Sequence, residues 1–309
     1  MIGCSKCGKR AVIYQRHSER HLCRRHFIED FERRVKLAVR KFSMIERGDR
    51  IAIALSGGKD SVTLAYVLKK LYGKRRDVEF LAITIDEGIE GYRPPTVEIA
   101  REISDKLDIE HVVVSFEENF GMTLDEMVKL GDKKPCTYCG VFRKYLLNRT
   151  AKEWGATKLA TGHNLDDETQ TILLNFLNAD IERLARLVPQ RVQKGLVVRI
   201  KPFKYVYEKE VVVYGLLHDL PLDFDECPYS HFPVRAAVRD FLYDFENKYP
   251  GRKFSVMSSF EKLIPCLKEM YPQIELNRCE RCGEPTPRRI CQACKLLEEL
   301  KIKKSSAEN

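Results

Sequence analysis

The spacing of apolar positions changes along this chain. Between Phe27 and Ile45 they recur every three or four residues, at Phe27, Phe31, Val35, Ala38, Phe42 and Ile45, and predict one amphipathic helix. Arg33, Lys36 and Arg40 share another face of it, either an ordinary solvated surface or a track for a polynucleotide backbone. From residue 50 onward short apolar runs alternate with helical spacing. RIAIAL, EFLAITID, EHVVVSF and ATKLATGH read as strands, and SVTLAYVLKKLYG, TVEIAREISDKLD, FRKYLLNRTAKEWG and DDETQTILLNFLNAD read as helices. This alternation predicts an α/β fold: a parallel sheet with helices on both faces, and ligands beyond the carboxyl ends of its strands. Residues 205–270 read as mostly helical, and the polar tail KIKKSSAEN is the one low-complexity stretch.

At 309 residues the chain suffices for one large domain or two ordinary ones. Its first ten residues, MIGCSKCGKR, lack the apolar core of a secretion leader, and no apolar run approaches a membrane span. A cytoplasmic protein without membrane contact is therefore expected. In that compartment eleven cysteines, an odd number, favour metal or redox chemistry over a disulfide framework. A net charge of +9 suggests a polyanionic partner.

Most of the cysteines gather at the two ends. Cys4 and Cys7 with Cys23 and His26 form C-x2-C…C-x2-H, and Cys279 and Cys282 with Cys291 and Cys294 form C-x2-C…C-x2-C. Each set is a complete tetrahedral shell without an open position, so structural zinc is expected at both. The sets define small modules, residues 1–30 and 271–309, flanking a central region of residues 31–270.

The most specific motif is IAIALSGGKDS, residues 51–61: a strand, a turn through Ser56, Gly57, Gly58, Lys59, Asp60 and Ser61, then a helix. Glycines let successive N–H groups turn inward and the helix start adds positive potential, which makes an anion cradle. The spacing is not G-x-x-x-x-G-K-[ST], and an acid follows the lysine. Asp166 and Asp167 occupy another strand-to-helix junction, suited to magnesium ligation or proton transfer, or simply to helix capping.

SGGKDS resembles the pyrophosphate loop of the ATP-pyrophosphatase superfamily. Taken with IDEGIEGYR, PCTYCGVFRK, TGHNLDDETQT and ECPYS, the chain is similar over nearly its whole length to tRNA 2-thiouridine synthetases of the TtuA type. The resemblance implies a Rossmann-like domain binding ATP and magnesium through Ala54, the loop from Ser56 to Ser61, Ile85 beside the adenine, Arg143 and Gly162. Lys59, Asp60 and Asp167 would be catalytic. It implies adenylation of uridine O2, followed by displacement of AMP by sulfur. It also implies that Cys136, Cys139 and Cys227 hold a [4Fe-4S] cluster with one iron open to sulfide. A ubiquitin-like carrier with a C-terminal thiocarboxylate would supply that sulfur, tRNA would be the partner, and the protein would be a homodimer. The pattern YRPPTVE with CPYS points to position 54 of tRNA, with wobble position 34 as the alternative.

The residues alone leave other routes open. The three spare thiols fit a persulfide mechanism if Arg143 and Lys144 keep them ionised, or a third zinc if His231 joins them. Cys266 reads as a buried apolar cysteine. Arg191, Lys194, Arg199, Lys201 and Lys204 fit either a phosphate grip or a solvated loop. An amide- or lysidine-forming ligase on the same loop is the competing enzyme class, and a non-catalytic RNA-binding zinc protein leaves the loop without a purpose.

Overall fold

The computed structural model describes residues 2–187, 193–230, 233–272 and 274–308. A small hairpin, β1 (Ile13–Gln15) and β2 (Arg20–Leu22), leads into α1 (Arg24–Lys41). Strands and helices then alternate: β3 (Arg50–Ala54), α2 (Lys59–Tyr72), β4 (Glu79–Asp86), α3 (Arg93–Lys106), β5 (Glu110–Ser115), α4 (Phe116–Phe120), α5 (Leu124–Leu130), α6 (Pro135–Glu153), β6 (Lys158–Ala160), α7 (Leu165–Leu177), α8 (Ile181–Ala185) and β7 (Val198–Ile200). Helices α9 (Glu208–Leu216), α10 (Pro233–Lys248) and α11 (Arg252–Met270) follow. A ribbon of β8 (Asn277–Arg278) and β9 (Pro285–Thr286) and the helix α12 (Gln292–Glu308) complete the chain.

The predicted parallel sheet is present, in the order β5-β4-β3-β6-β7. Strand order reverses at β3, which lies between β4 and β6, and such a reversal opens a crevice beyond the carboxyl ends of the flanking strands. Both loops singled out in the sequence, after β3 and after β6, arrive there. Successive strand side chains alternate between faces. Ile51 and Ile53 accordingly join a layer with Phe31 of α1, Leu64 of α2 and Tyr214 of α9, whereas Ala52 joins one with Met127 of α5, Phe142 of α6 and Leu296 of α12. Cys4 and Cys23 belong to the first layer and Cys279 and Cys291 to the second, so the two cysteine-rich ends pack on opposite faces of the sheet.

Several expectations need correction. Helix α6 starts at Pro135 instead of Phe142, because proline at the first helical turn sacrifices no hydrogen bond. Cys136 and Cys139 therefore ride on that turn rather than ahead of it. The basic run read as a loop contains β7, paired with β6. Lys204 is no phosphate contact: it is 2% exposed, with Nζ 3.1 Å from Glu261 and 3.7 Å from the Phe42 ring centroid. Lys201 is committed to Glu168. Cys266 is exposed, since α11 turns Met257, Phe260 and Leu267 to the core instead. Arg191 and His231 lie outside the described residues.

Candidate active site

The loop after β3 is shaped by one steric demand. Gly57 has φ +85°, and a Cβ there would stand 1.9 Å from the carbonyl oxygen of Thr96 in α3, so the loop and that helix touch backbone to backbone. Ser61 Oγ braces the turn, accepting from Ser56 N at 3.1 Å and donating to Gly58 O at 2.9 Å. Arg93 ties the turn to β4: Nη1 donates to Ser56 O at 3.0 Å, Nη2 donates to Ile85 O, and Nε lies 2.7 Å from the buried Glu87 carboxylate. On the other side Asp223 bridges to Gly58 and accepts from Lys59 N at 3.3 Å.

Charges converge where β3 and β6 end. Lys59 Nζ stands 2.9 Å from Asp60 and 2.9 Å from Glu208. Asp60 accepts from Asn164 Nδ2 at 3.2 Å, and Gly162 leaves room for it, since a Cβ at 162 would lie 3.0 Å from the Asp60 carbonyl carbon. Asn164 caps α7 by accepting from the N–H groups of Asp166 and Asp167, while Asp167 accepts from Asn164 N at 3.1 Å. Asp166 is structural: it pairs with Lys253 and accepts from Glu208 N at 2.7 Å. Asp167 caps too, yet burial pushes its carboxyl up to about 7; the Asn164 N–H opposes this, and the charges of Asp60, Glu208 and Asp166 add to it. Ala54 ends β3 half-buried, and Ile85 is buried beneath the crevice in the layer with Leu81 and Ile83.

The spare cysteines meet beside this crevice. The Gly58–Asp223 bridge lays the segment carrying Cys227 along the loop, and Cys136 Sγ lies 3.5 Å from Tyr229 O in that segment. Cys139 Sγ is 4.0 Å from Glu87 Oε1, and Arg143, one turn further along α6, is 3.8 Å from the same carboxylate. Burial pushes Cys136 up, and it pushes Cys139 up to about 11 despite the opposing Arg143 charge.

Two ligand sets among the described residues bring all their donor atoms within 4.8 Å, and both are terminal. Zinc with Zn–S bonds of about 2.3 Å spaces its sulfurs about 3.8 Å apart. The observed separations match: Cys7 Sγ to Cys23 Sγ is 3.8 Å, Cys282 Sγ to Cys291 Sγ is 3.6 Å, and His26 Nδ1 is 3.2 Å from Cys4 Sγ and 3.6 Å from Cys23 Sγ. Burial resists ionisation of Cys4 and Cys279, but backbone hydrogen bonds centred on Cys23 and Cys291 draw these thiols down to about 5 and about 6. Both sets fit zinc. Cys136, Cys139 and Cys227 are not among the sets that tight, and His231, the fourth ligand a third zinc would need, lies outside the described residues.

Comparison with known proteins agrees with this arrangement. Residues 28–245 match the PP-loop domain family, and residues 4–28 match the N-terminal LIM domain of 2-thiouridine synthetase TtuA. The tRNA 2-thiolation protein NcsA of Haloferax volcanii is 39% identical over 96% of this chain and 98% of its own length. Cytoplasmic tRNA 2-thiolation protein 1 of Chlamydomonas reinhardtii is 38% identical over 96% and 84%. The chain belongs to the PP-loop tRNA 2-thiolation family. A solved relative, the U34-tRNA thiolase NcsA from Methanococcus maripaludis with its [4Fe-4S] cluster, superposes with a TM-score of 0.85 at 33% identity, covering 97% of each chain.

In this member of the family, sequence reasoning passed over Glu87, Arg93 and Glu208 as site residues. Glu87 follows the carboxyl end of β4, next to the strand-order reversal, and that position was its signal. Arg93 appeared only as part of IDEGIEGYR. Glu208 carries no local signal, because its contact with Lys59 joins distant parts of the chain.

Proposed function

We propose that this chain is a cytoplasmic, ATP-dependent tRNA 2-sulfurtransferase acting on wobble uridine 34. The observation that carries the reading is the convergence of two sites, the Ser56–Ser61 anion loop and the Cys136–Cys139–Cys227 trio, across one crevice and joined by the Gly58–Asp223 bridge. The sequence pattern pointed to position 54; the superposing relative is described as a position-34 thiolase, which favours the wobble site.

The loop N–H groups and Lys59 would hold the β- and γ-phosphates of magnesium-bound ATP, and Lys59 would exchange Glu208 for the departing pyrophosphate. Uridine O2 attacks the α-phosphorus, pyrophosphate leaves, and Asp167, whose proton affinity lies near neutrality, is suited to take the proton shed by uracil N3. Cys136, Cys139 and Cys227 would hold a [4Fe-4S] cluster, whose iron without a protein ligand supplies a position for sulfide. Arg143 balances the negative charge of the trio and Glu87. Cys4, Cys7, Cys23 and His26, and Cys279, Cys282, Cys291 and Cys294, would each hold a structural zinc. A thiocarboxylated ubiquitin-like carrier is the proposed sulfur source.

The test is Cys136→Ala, Cys139→Ala and Cys227→Ala in iron-reconstituted protein. Thiolation and the visible cluster absorbance should vanish while ATP binding persists; unchanged thiolation overturns the cluster assignment. Mass-spectrometric mapping of thionucleosides in a deletion strain should show loss at position 34, and loss confined to position 54 refutes the wobble assignment.

A further inference from the structure

We propose that Glu87 is a positioning residue that, together with Arg93, couples the phosphate loop to the cysteine trio, so that a change on either side is felt at the other. This rests on the reading above of the loop as an ATP site and of the trio as a cluster site.

Glu87 departs from every other buried acid among the described residues. Asp30, Asp49, Glu168, Glu210 and Glu284 each accept a hydrogen bond from a nitrogen or hydroxyl donor: Arg34 Nε at 3.0 Å, Thr157 Oγ1 at 2.7 Å, Lys201 Nζ, Gln15 Nε2 at 2.8 Å and Asn148 Nδ2 at 3.0 Å in turn. The Glu87 carboxylate is as buried as these and accepts from no such donor. Its Oε2 lies 2.7 Å from Arg93 Nε, but neither atom has a directed hydrogen bond, and its Oε1 has only the Cys139 thiol, at 4.0 Å. A buried acceptor left short of donors is destabilising, and a buried ion pair seldom repays its own desolvation. Stability therefore does not account for Glu87. Its place between two sites does.

Two steps join those sites. Arg93 is buried too, and its fork is committed to the loop: Nη1 donates to Ser56 O and to Thr96 Oγ1, both at 3.0 Å, and Nη2 donates to Ile85 O. Thr96 is also the residue whose carbonyl oxygen stands against Gly57, so Arg93 grips the turn and the helix it leans on. The backbone of Glu87 is fixed on the other side, where its carbonyl accepts from Leu124 N at 2.7 Å. From there the carboxylate reaches α6, with Arg143 at 3.8 Å and Cys139 one turn earlier on the helix. Phosphate entering the loop would draw on Ser56 and hence on Arg93, whose only acid among the described residues is Glu87. Metal on Cys139 would set thiolate charge against the same carboxylate. Both perturbations converge on an ion pair that no directed hydrogen bond locks.

The experiment reads each site after altering the residue beside the other, in the full zinc-loaded chain with and without reconstituted iron. Glu87→Gln touches no loop residue, yet should weaken ATP binding about 5-fold or more by calorimetry on the iron-free chain, because Arg93 loses its carboxylate. Arg93→Lys touches no cysteine and keeps the charge but not the fork, yet should shift the midpoint potential of the cluster in a titration followed by electron paramagnetic resonance. Glu87→Gln should raise that potential, since a negative charge beside a ligand opposes reduction, and Glu87→Asp, which keeps the charge, should restore most of both properties. A merely structural pair would lower the melting temperature of the variants and leave ATP affinity and potential at wild-type values, which overturns the proposal. So does a change confined to the adjoining site, with potential alone altered in Glu87→Gln and ATP affinity alone in Arg93→Lys. Arg93→Lys keeps the buried charges balanced and decides the matter even where Glu87→Gln fails to fold. A wild type that takes up no iron refutes the cluster reading instead; the alkylation rate of Cys139, resolved by mass spectrometry, then replaces the potential and must respond to Arg93→Lys. A wild type that binds no ATP overturns both.

Discussion

Adjacent glycines of the phosphate loop should respond to very different degrees to the same substitution. At Gly57, with φ +85°, alanine enters the left-handed region at a cost of about 1–2 kcal/mol. Its Cβ would also fall 1.9 Å from Thr96 O, and relieving that overlap by moving backbone costs about a further 1–3 kcal/mol. The sum is about 2–5 kcal/mol. Any shift that relieves it also pulls Arg93 away from Ser56 O, so the anion cradle should open with it. Gly58, by contrast, has φ −73° and the nearest atom to its added Cβ is Ser56 Oγ at 3.6 Å. Alanine at this helix N-cap should cost less than about 1 kcal/mol. At about 2–4 °C per kcal/mol, Gly57→Ala should melt about 4–20 °C below wild type and Gly58→Ala within about 4 °C. Urea titration gives the free energies directly, and calorimetric ATP binding reports on the cradle. If Gly57→Ala retains stability within about 1 kcal/mol and binds ATP normally, or if Gly58→Ala is the more damaging, the backbone contact between loop and α3 is refuted.

Three further outcomes follow from charges and ligand sets. Asp167 keeps its proton in the folded state up to about pH 7, whereas the unfolded carboxyl releases it near 3.8, so stability should fall by up to about 4 kcal/mol as pH rises between those values; Asp167→Asn should remove that slope in urea titrations. Arg34, buried between Asp30 at 3.0 Å and Glu210 at 2.6 Å, holds two carboxylates, and Arg34→Ala should cost about 3–5 kcal/mol by equilibrium unfolding. Burial opposes ionisation of Asp30, but Arg34 and Gln15 draw it down to about 2; this stabilisation is present above about pH 3.8, fades as pH falls toward 2, and should be missing from the variant. Elemental analysis should find about two zinc ions per chain, one lost in Cys7→Ser and the other in Cys282→Ser; simultaneous loss of both in either variant would show that the sets are not independent.

Strands buried on both faces read plainly in the sequence. EFLAITID coincides with β4, and RIAIAL overlaps β3 up to the loop, because parallel strands are near-continuous apolar runs. Short edge strands carry no such signature: in β7 the sequence VRI is half-exposed and embedded among basic residues, so its charges masked its pairing. The phosphate loop and the terminal ligand sets were legible because each is compact in sequence. Glu208 and Arg93 were not, since what places them at the loop is a contact across the fold. Lys204 failed for the opposite reason: nothing local shows that Glu261 and Phe42 enclose it. Cys266 looked apolar by context, but which side of α11 faces inward depends on how α7 and α8 pack against it.

Cys4 and Cys23 on one face of the sheet, and Cys279 and Cys291 on the other, are core residues as well as members of the proposed zinc sets. Ions seated there would do more than decorate the chain's ends, because the thiols that would bind them also close both apolar layers. Assembly of the proposed catalytic centre would thereby depend on metal supply. A cell short of zinc would lose this protein at the stage of maturation, before ATP or RNA is ever encountered.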